Sequence, residues 1–263
     1  MSLLQLCNVS KEYRLRSKKR RLLKPCSTFK AIKQVNLSLE KGECVGLIGE
    51  SGSGKSTLAR LIMKLEPLTS GEIFLEEQAV SGRQLKDLVL YKRIQLVLQD
   101  SSTALHPKMK VKDCLLEPIK NFFPSEKEKW DEMLARVVEL VELDFTYLTR
   151  FPHQLSGGQK QRVCIAKALA VQPDVIIFDE SIASLDYDSQ VSIIKMLKTI
   201  QVKEQLSYLF ITHDLQSSRE LCNRVAVMYE GEIVEMFDQW DVNQLKHPYT
   251  RSLVETLNVN VIR

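Results

Sequence analysis

The sequence predicts an α/β fold built on a mostly parallel sheet, and three features carry that expectation. Short, almost wholly apolar runs, at Glu43–Ile48, Ile94–Leu98, Val175–Phe178 and Leu206–Ile211, read as strands buried on both faces. Stretches with helical spacing alternate with them, at 58–64, 111–143, 163–171 and 188–203. Strands that alternate with helices are joined by crossovers, and the crossover helices cover both faces of a parallel sheet.

In chain order, Leu3–Val9 and Ala31–Leu39 alternate apolar and polar residues, as strands with one buried face do. The segment joining them is basic. Arg14, Arg16, Lys18, Lys19, Arg20, Arg21, Lys24 and Lys30 place eight positive charges and no acid between positions 14 and 30 of a chain whose net charge is +4. Its one aromatic is Phe29 and it carries no base-reading motif, so a solvated hairpin loop is expected rather than a nucleic-acid surface. Tyr13, which follows the first strand, is an aromatic that could stack on a nucleotide base, although an isolated tyrosine more often packs or lies at the surface.

The strand Glu43–Ile48 runs into Gly49-Glu50-Ser51-Gly52-Ser53-Gly54-Lys55-Ser56-Thr57, and a helix follows at once. This is a phosphate-binding loop in the strand-loop-helix context that the motif requires. Glycines let the backbone curl so that its N–H groups reach phosphate oxygens, and the helix N-terminus adds partial positive charge. Lys55 is expected on the β- and γ-phosphates, and the Ser56 hydroxyl on Mg2+. The loop therefore predicts a nucleoside triphosphate ligand.

Beyond a turn at Pro67–Gly71 and a strand at Glu72–Leu75, the strand Ile94–Leu98 ends at Gln99-Asp100. Trp130, Met133, Leu134, Val137, Leu140 and Val141 then recur at three- and four-residue spacing, which marks a helical insert. Leu155-Ser156-Gly157-Gly158-Gln159 precedes the next helix, where a serine cap alone is worth about 1 kcal/mol. Val175–Phe178 delivers Asp179 and Glu180 at its C-terminal end. Asp179 supplies a carboxylate expected near the Mg2+ bound through Ser56, and Glu180 is placed to accept a proton from an attacking water. Leu206–Ile211 ends at Thr212-His213-Asp214.

At 263 residues, with 27% charged and 44% apolar residues, the composition is that of an ordinary globular protein. No apolar run approaches the roughly 18–20 residues of a membrane span, and no signal-peptide pattern opens the sequence, so a cytosolic chain is expected. The six cysteines form no C-x-x-C pair, and several sit in apolar runs as buried thiols would.

Taken together, the phosphate loop, Gln99, Ser156–Gln159, Val175–Glu180, Ser184-Leu185-Asp186 and His213 resemble, in order, the motifs of the ATP-binding cassette (ABC) transporter ATPases. The resemblance covers nearly the whole chain. It implies a P-loop NTPase fold with a mostly parallel core, an antiparallel β subdomain and a helical subdomain. Roughly 1–98 and 172–245 would form the core with the β subdomain, 99–171 the helical subdomain, and 246–263 a C-terminal extension. Carried onto this sequence, it makes 49–57 the Walker A loop, Tyr13 the adenine-stacking aromatic and Gln99 a nucleotide-sensing metal ligand beside Ser56 and Asp179. It likewise makes Ser156, Gly157, Gly158 and Gln159 the signature, Asp186 the D-loop acid, and Glu180, His213 and Lys55 the catalytic set, with ATP and Mg2+ as cofactors.

The family pairs two cassettes head to tail, so the signature of one subunit closes over ATP held by the other. This implies a second ATPase subunit in a heterodimer, two membrane permease subunits and an extracytoplasmic substrate-binding protein. It also implies a peripheral position on the cytoplasmic face of the cell membrane, no nucleic acid and no direct cargo contact. A DNA-acting cassette would part its motif halves with a long coiled coil, and a translation-factor cassette protein would carry two motif sets; this chain has neither feature. The ending His247-Pro248-Tyr249-Thr250-Arg251-Ser252-Leu253 looks like that of the oligopeptide, dipeptide and nickel importer ATPases. Within that group, Gln99-Asp100-Ser101, Asp179-Glu180-Ser181 and the helix Gln161–Val171 look most like the second ATPase of nickel importers, with peptide import as the alternative.

Overall fold

A computed structural model describes residues 2–14, 28–82, 85–238, 240 and 242–260. The chain runs β1 (Ser2–Arg14), β2 (Thr28–Glu40), β3 (Cys44–Ile48), α1 (Lys55–Ile62), β4 (Ser70–Leu75), β5 (Gln78–Ala79), α2 (Asp87–Arg93) and β6 (Ile94–Val97). It continues through α3 (Ser101–Ala104), α4 (Val111–Phe122), α5 (Trp130–Leu140), α6 (Gly157–Leu169), β7 (Val175–Asp179) and α7 (Tyr187–Glu204). β8 (Ser207–Thr212), α8 (Leu215–Leu221), β9 (Arg224–Tyr229), β10 (Glu232–Phe237) and α9 (Pro248–Asn260) complete it.

Two sheets result. An antiparallel sheet has the order β2-β1-β4-β5, and a six-stranded sheet has the order β10-β9-β3-β8-β7-β6, parallel except for the β10 edge. The parallel strands are the apolar runs of the sequence, because both of their faces are covered. On one face Ile177, Leu209 and Ile211 meet Leu58, Leu61 and Ile62 of α1, which also packs on the antiparallel sheet. On the other, Ile176, Phe178, Tyr208 and Phe210 meet Leu115, Val138, Val163, Ile165 and Leu197 of α4–α7. Each of these fully buried aliphatic side chains contributes about 1.5–3 kcal/mol.

Where the sequence reading and the structure differ, local geometry is the reason. The first strand runs on to Arg14, past Val9. β1 and β2 slip register at several points between Leu6 and Glu12, and Asn8 has a φ of 49°, so the alternation breaks midway. Arg14 and Lys30 accordingly lie in strands rather than in a loop, with Lys30 Nζ 3.3 Å from Glu12 Oε1; the basic positions 16–24 lie outside the described residues. β9 and β10 are unforeseen. They form a hairpin whose two turn residues, Glu230 and Gly231, both have positive φ (46° and 86°), and Glu-Gly is not a pair that announces such a turn. The helical stretch expected over 111–143 is broken at Phe123–Glu126, after α4, and α6 starts six residues earlier than its apolar run.

Candidate functional site

The C-terminal ends of β3, β7 and β8 bring the site together. Ile48 lies opposite Thr212 and Asp179 opposite Ile211, so the loop after β3, the acids after β7 and His213 after β8 leave the sheet side by side. Open parallel sheets bind ligands at this edge.

The loop passes its neighbours with backbone alone. A Cβ on Gly49 would lie 2.1 Å from the Met228 carbonyl oxygen, and one on Gly54, whose φ is 112°, would lie 2.7 Å from that of Ala31. No side chain caps α1, so its first-turn N–H groups are offered to an anion. In the same loop Ser53 Oγ is buried without a hydrogen-bond partner. A polyphosphate fits such a cradle.

Lys55 is 4% exposed. Its Nζ donates to the carbonyl oxygens of Gly49 (2.7 Å) and Glu50 (2.9 Å) and lies 3.8 Å from Glu180 Oε1. Burial pushes its ammonium below the usual lysine range, and the Glu180, Asp179 and Glu50 carboxylates oppose that push. Ser56 Oγ donates to Asp179 Oδ1 at 2.9 Å. Burial raises the Asp179 carboxyl and nearby Glu180 adds to the rise, while the Ser56 hydroxyl, Arg60 and Lys55 pull it down. Two adjacent hard oxygens, one on a carboxylate that lacks full charge compensation, suit Mg2+.

Glu180 carries the local strain. Its φ is 49°, a left-handed value uncommon for a residue with a Cβ, and it is held there by donation from its N–H to the Ile211 carbonyl at 2.9 Å. The turn points its carboxylate between Lys55 and His213, whose Nδ1 is 3.6 Å from Glu180 Oε2. The sequence placed these residues in one site; the structure puts them in contact.

Tyr13 is half-buried rather than free at the surface. Its hydroxyl bonds Glu66 Oε2 at 2.5 Å, and Lys11 Nζ sits 5.0 Å from its ring centroid. Lys11 in turn contacts Glu66 at 3.5 Å and donates to the Pro67 carbonyl at 2.7 Å. Burial and Glu66 raise the phenol, and Thr57 of the loop opposes them. Glu66 is a neighbour of Tyr13 that the sequence did not reveal, since only folding brings position 66 to position 13.

Gln99 is exposed just past β6, where Val97 lies opposite Phe178, so it leaves the sheet at the level of the two acids. Ser156 to Gln159 stand apart from the phosphate loop, with no hydrogen bond or ion pair to Gly49–Thr57 among the described residues. Ser156 Oγ accepts from Gln159 N–H at 3.3 Å and Gln159 Oε1 accepts from Ser156 N–H at 2.9 Å, a capping box at the start of α6. Close by, a Cβ on Gly158 would lie 3.0 Å from Ser189 Oγ. Asp186 caps α7 by accepting from Ser189 N–H and Oγ at 2.9 and 2.8 Å, and the backbone bond holds its carboxyl below the usual range. A glycine-rich helix N-terminus and the Asp186 turn thus share one surface.

This fold and site define an ABC ATPase. The chain belongs to the ABC transporter family, which matches residues 32–183, and it is an ATP-hydrolysing transport ATPase. It is 40% identical over 233 residues to the dipeptide transport ATP-binding protein DppF of Lactococcus lactis subsp. cremoris, covering 87% of this chain and 75% of that protein. It is 39% identical over 246 residues to the oligopeptide transport ATP-binding protein OppF of Bacillus subtilis, covering 91% and 80%. A solved dimeric ATP-binding cassette in a post-hydrolysis state, bound to ADP and Pi, is 28% identical and covers 89% of this chain and 98% of its own, with a TM-score of 0.75. No helix among the described residues is long and apolar enough to cross a membrane.

Proposed function

We propose that this chain is the ATPase subunit that powers an ABC importer of peptides. The observation that carries the cargo is the match, over 87–91% of the chain, to proteins named for dipeptide and oligopeptide transport. Those relatives favour peptide over nickel. The residues that suggested nickel speak weakly to cargo, because the cargo never meets this subunit. Ser181, for example, is 2% exposed and so is not on a surface that a cargo could reach.

Within the site, Glu180 acts as general base on the attacking water, and His213, 3.6 Å away, orients that carboxylate and the γ-phosphate. Lys55 keeps its loop carbonyls and turns its remaining N–H to the phosphates, and the N–H groups of Gly52–Thr57 take the β-phosphate. Mg2+, held by Ser56 and Asp179 with Gln99 beside them, supplies neutralisation of phosphate charge when bound. Tyr13 stacks on adenine. Ser156–Gln159 and Asp186 serve the ATP of a second cassette, so each chain carries two half-sites and the nucleotide completes the interface. Residues 99–171 act as the helical subdomain that contacts the membrane domain on the cytoplasmic face, the transporter has two permeases, a binding protein delivers the peptide, and the second ATPase is a different chain.

A pull-down of the tagged full chain from detergent-solubilised membranes, with uptake assays in a strain lacking it, tests this reading. Two permeases, a second ATPase and loss of peptide uptake are expected. Loss of nickel uptake with peptide uptake intact would reverse the cargo, and recovery of ribosomes or nucleic acid without membrane proteins would overturn the transporter role.

A further inference from the structure

The phosphate loop is tied to a residue far along the chain. Tyr249, in the first turn of α9, accepts a hydrogen bond on its hydroxyl oxygen from Glu50 N–H at 2.8 Å. That N–H belongs to the same peptide group as the Gly49 carbonyl, which accepts from Lys55 Nζ at 2.7 Å. One peptide plane therefore links the Tyr249 hydroxyl to the Lys55 ammonium, and turning it would break both bonds.

The tyrosine is firmly placed for this task. Its ring lies 4.5 Å from that of Tyr229, centroid to centroid. Tyr229 follows Met228, the residue whose carbonyl closes over Gly49. Glu235 accepts from the N–H groups of Lys246 (2.6 Å) and His247 (3.1 Å), which fixes the entry to α9. Thr250 and Val254 are buried, and Tyr249 packs on Ile48, Leu215, Val225 and Val227 beneath the loop.

We propose that Tyr249 is a positioning residue for ATP binding: through the Gly49–Glu50 peptide it presets the phosphate loop and the lysine, making the C-terminal segment part of the nucleotide site. A preset loop has less freedom to lose when ATP arrives, so the hydroxyl strengthens binding of substrate and transition state alike. The inference concerns the ATP site alone and stands whatever the cargo.

Tyr249→Phe keeps the ring and removes only the acceptor. In the full-length protein, KM for MgATP and the Kd for ATP measured without Mg2+ should each rise about five- to tenfold, with kcat held within about twofold. Val254→Ala, on the same helix but away from the loop, should lower the melting temperature and leave KM for MgATP unchanged. Values for Tyr249→Phe within about twofold of the parent protein, or an equal rise of KM in Val254→Ala, would overturn the proposal.

Discussion

Asp179 and Glu180 are adjacent acids held in different ways. Burial raises the Asp179 carboxyl, so the fold prefers its protonated form. Its contribution to stability is present below the ordinary carboxylate pKa and is lost as pH rises through the raised value. The ionised carboxylate is thus less favoured in the folded chain than in the unfolded one. Asp179→Asn should raise the melting temperature without nucleotide by roughly 1–3 °C while abolishing Mg2+-dependent hydrolysis; calorimetry with an ATPase assay checks both. A lowered melting temperature would mean that the Ser56 contact outweighs burial. The gathering of both acids with Lys55 and His213 at one place was legible from residue type and spacing. The left-handed backbone of Glu180 and the Tyr13–Glu66 bond were not, since neither the backbone angle nor a partner 53 positions away leaves a local signal.

At the scale of elements, the loop after β3 separates two demands on glycine. Gly52 has a φ of 84° with nothing within 4 Å of an added Cβ, whereas one on Gly49 would meet backbone at 2.1 Å. Gly52→Ala should cost only the left-handed strain, about 1–2 kcal/mol. Gly49→Ala should cost more, on the order of 3 kcal/mol or above, and weaken ATP binding as β9 is pushed away. Equilibrium unfolding of the two variants tests the ranking, and equal losses would contradict it. The buried strands β3, β6, β7 and β8 were readable from apolar runs alone. The end of β1 and the β9–β10 hairpin were not, because bulges erase alternation and the Glu230-Gly231 turn lacks the usual residues. That gap matters, for Met228 at the end of β9 is what forces glycine at position 49.

Across the whole molecule, a central strand feeds the phosphate loop, two cores fix α1 and the helices of 101–169 around it, and α9 closes beneath the loop. The ordered motifs made the family readable from the sequence, but the cargo was not. At this scale the separation of Ser156–Gln159 from the phosphate loop is what the proposed pairing of two cassettes, each carrying two half-sites, would use. The central claim is ATP hydrolysis with Glu180 as base, and its most direct test is the ATPase rate of the full-length Glu180→Gln protein, with its mass in solution followed with and without MgATP. The rate should fall on the order of 100-fold, and MgATP should convert the protein into a stable dimer. Hydrolysis at the parent rate would contradict the assignment of Glu180, and a protein that binds ATP yet stays monomeric would contradict the shared site.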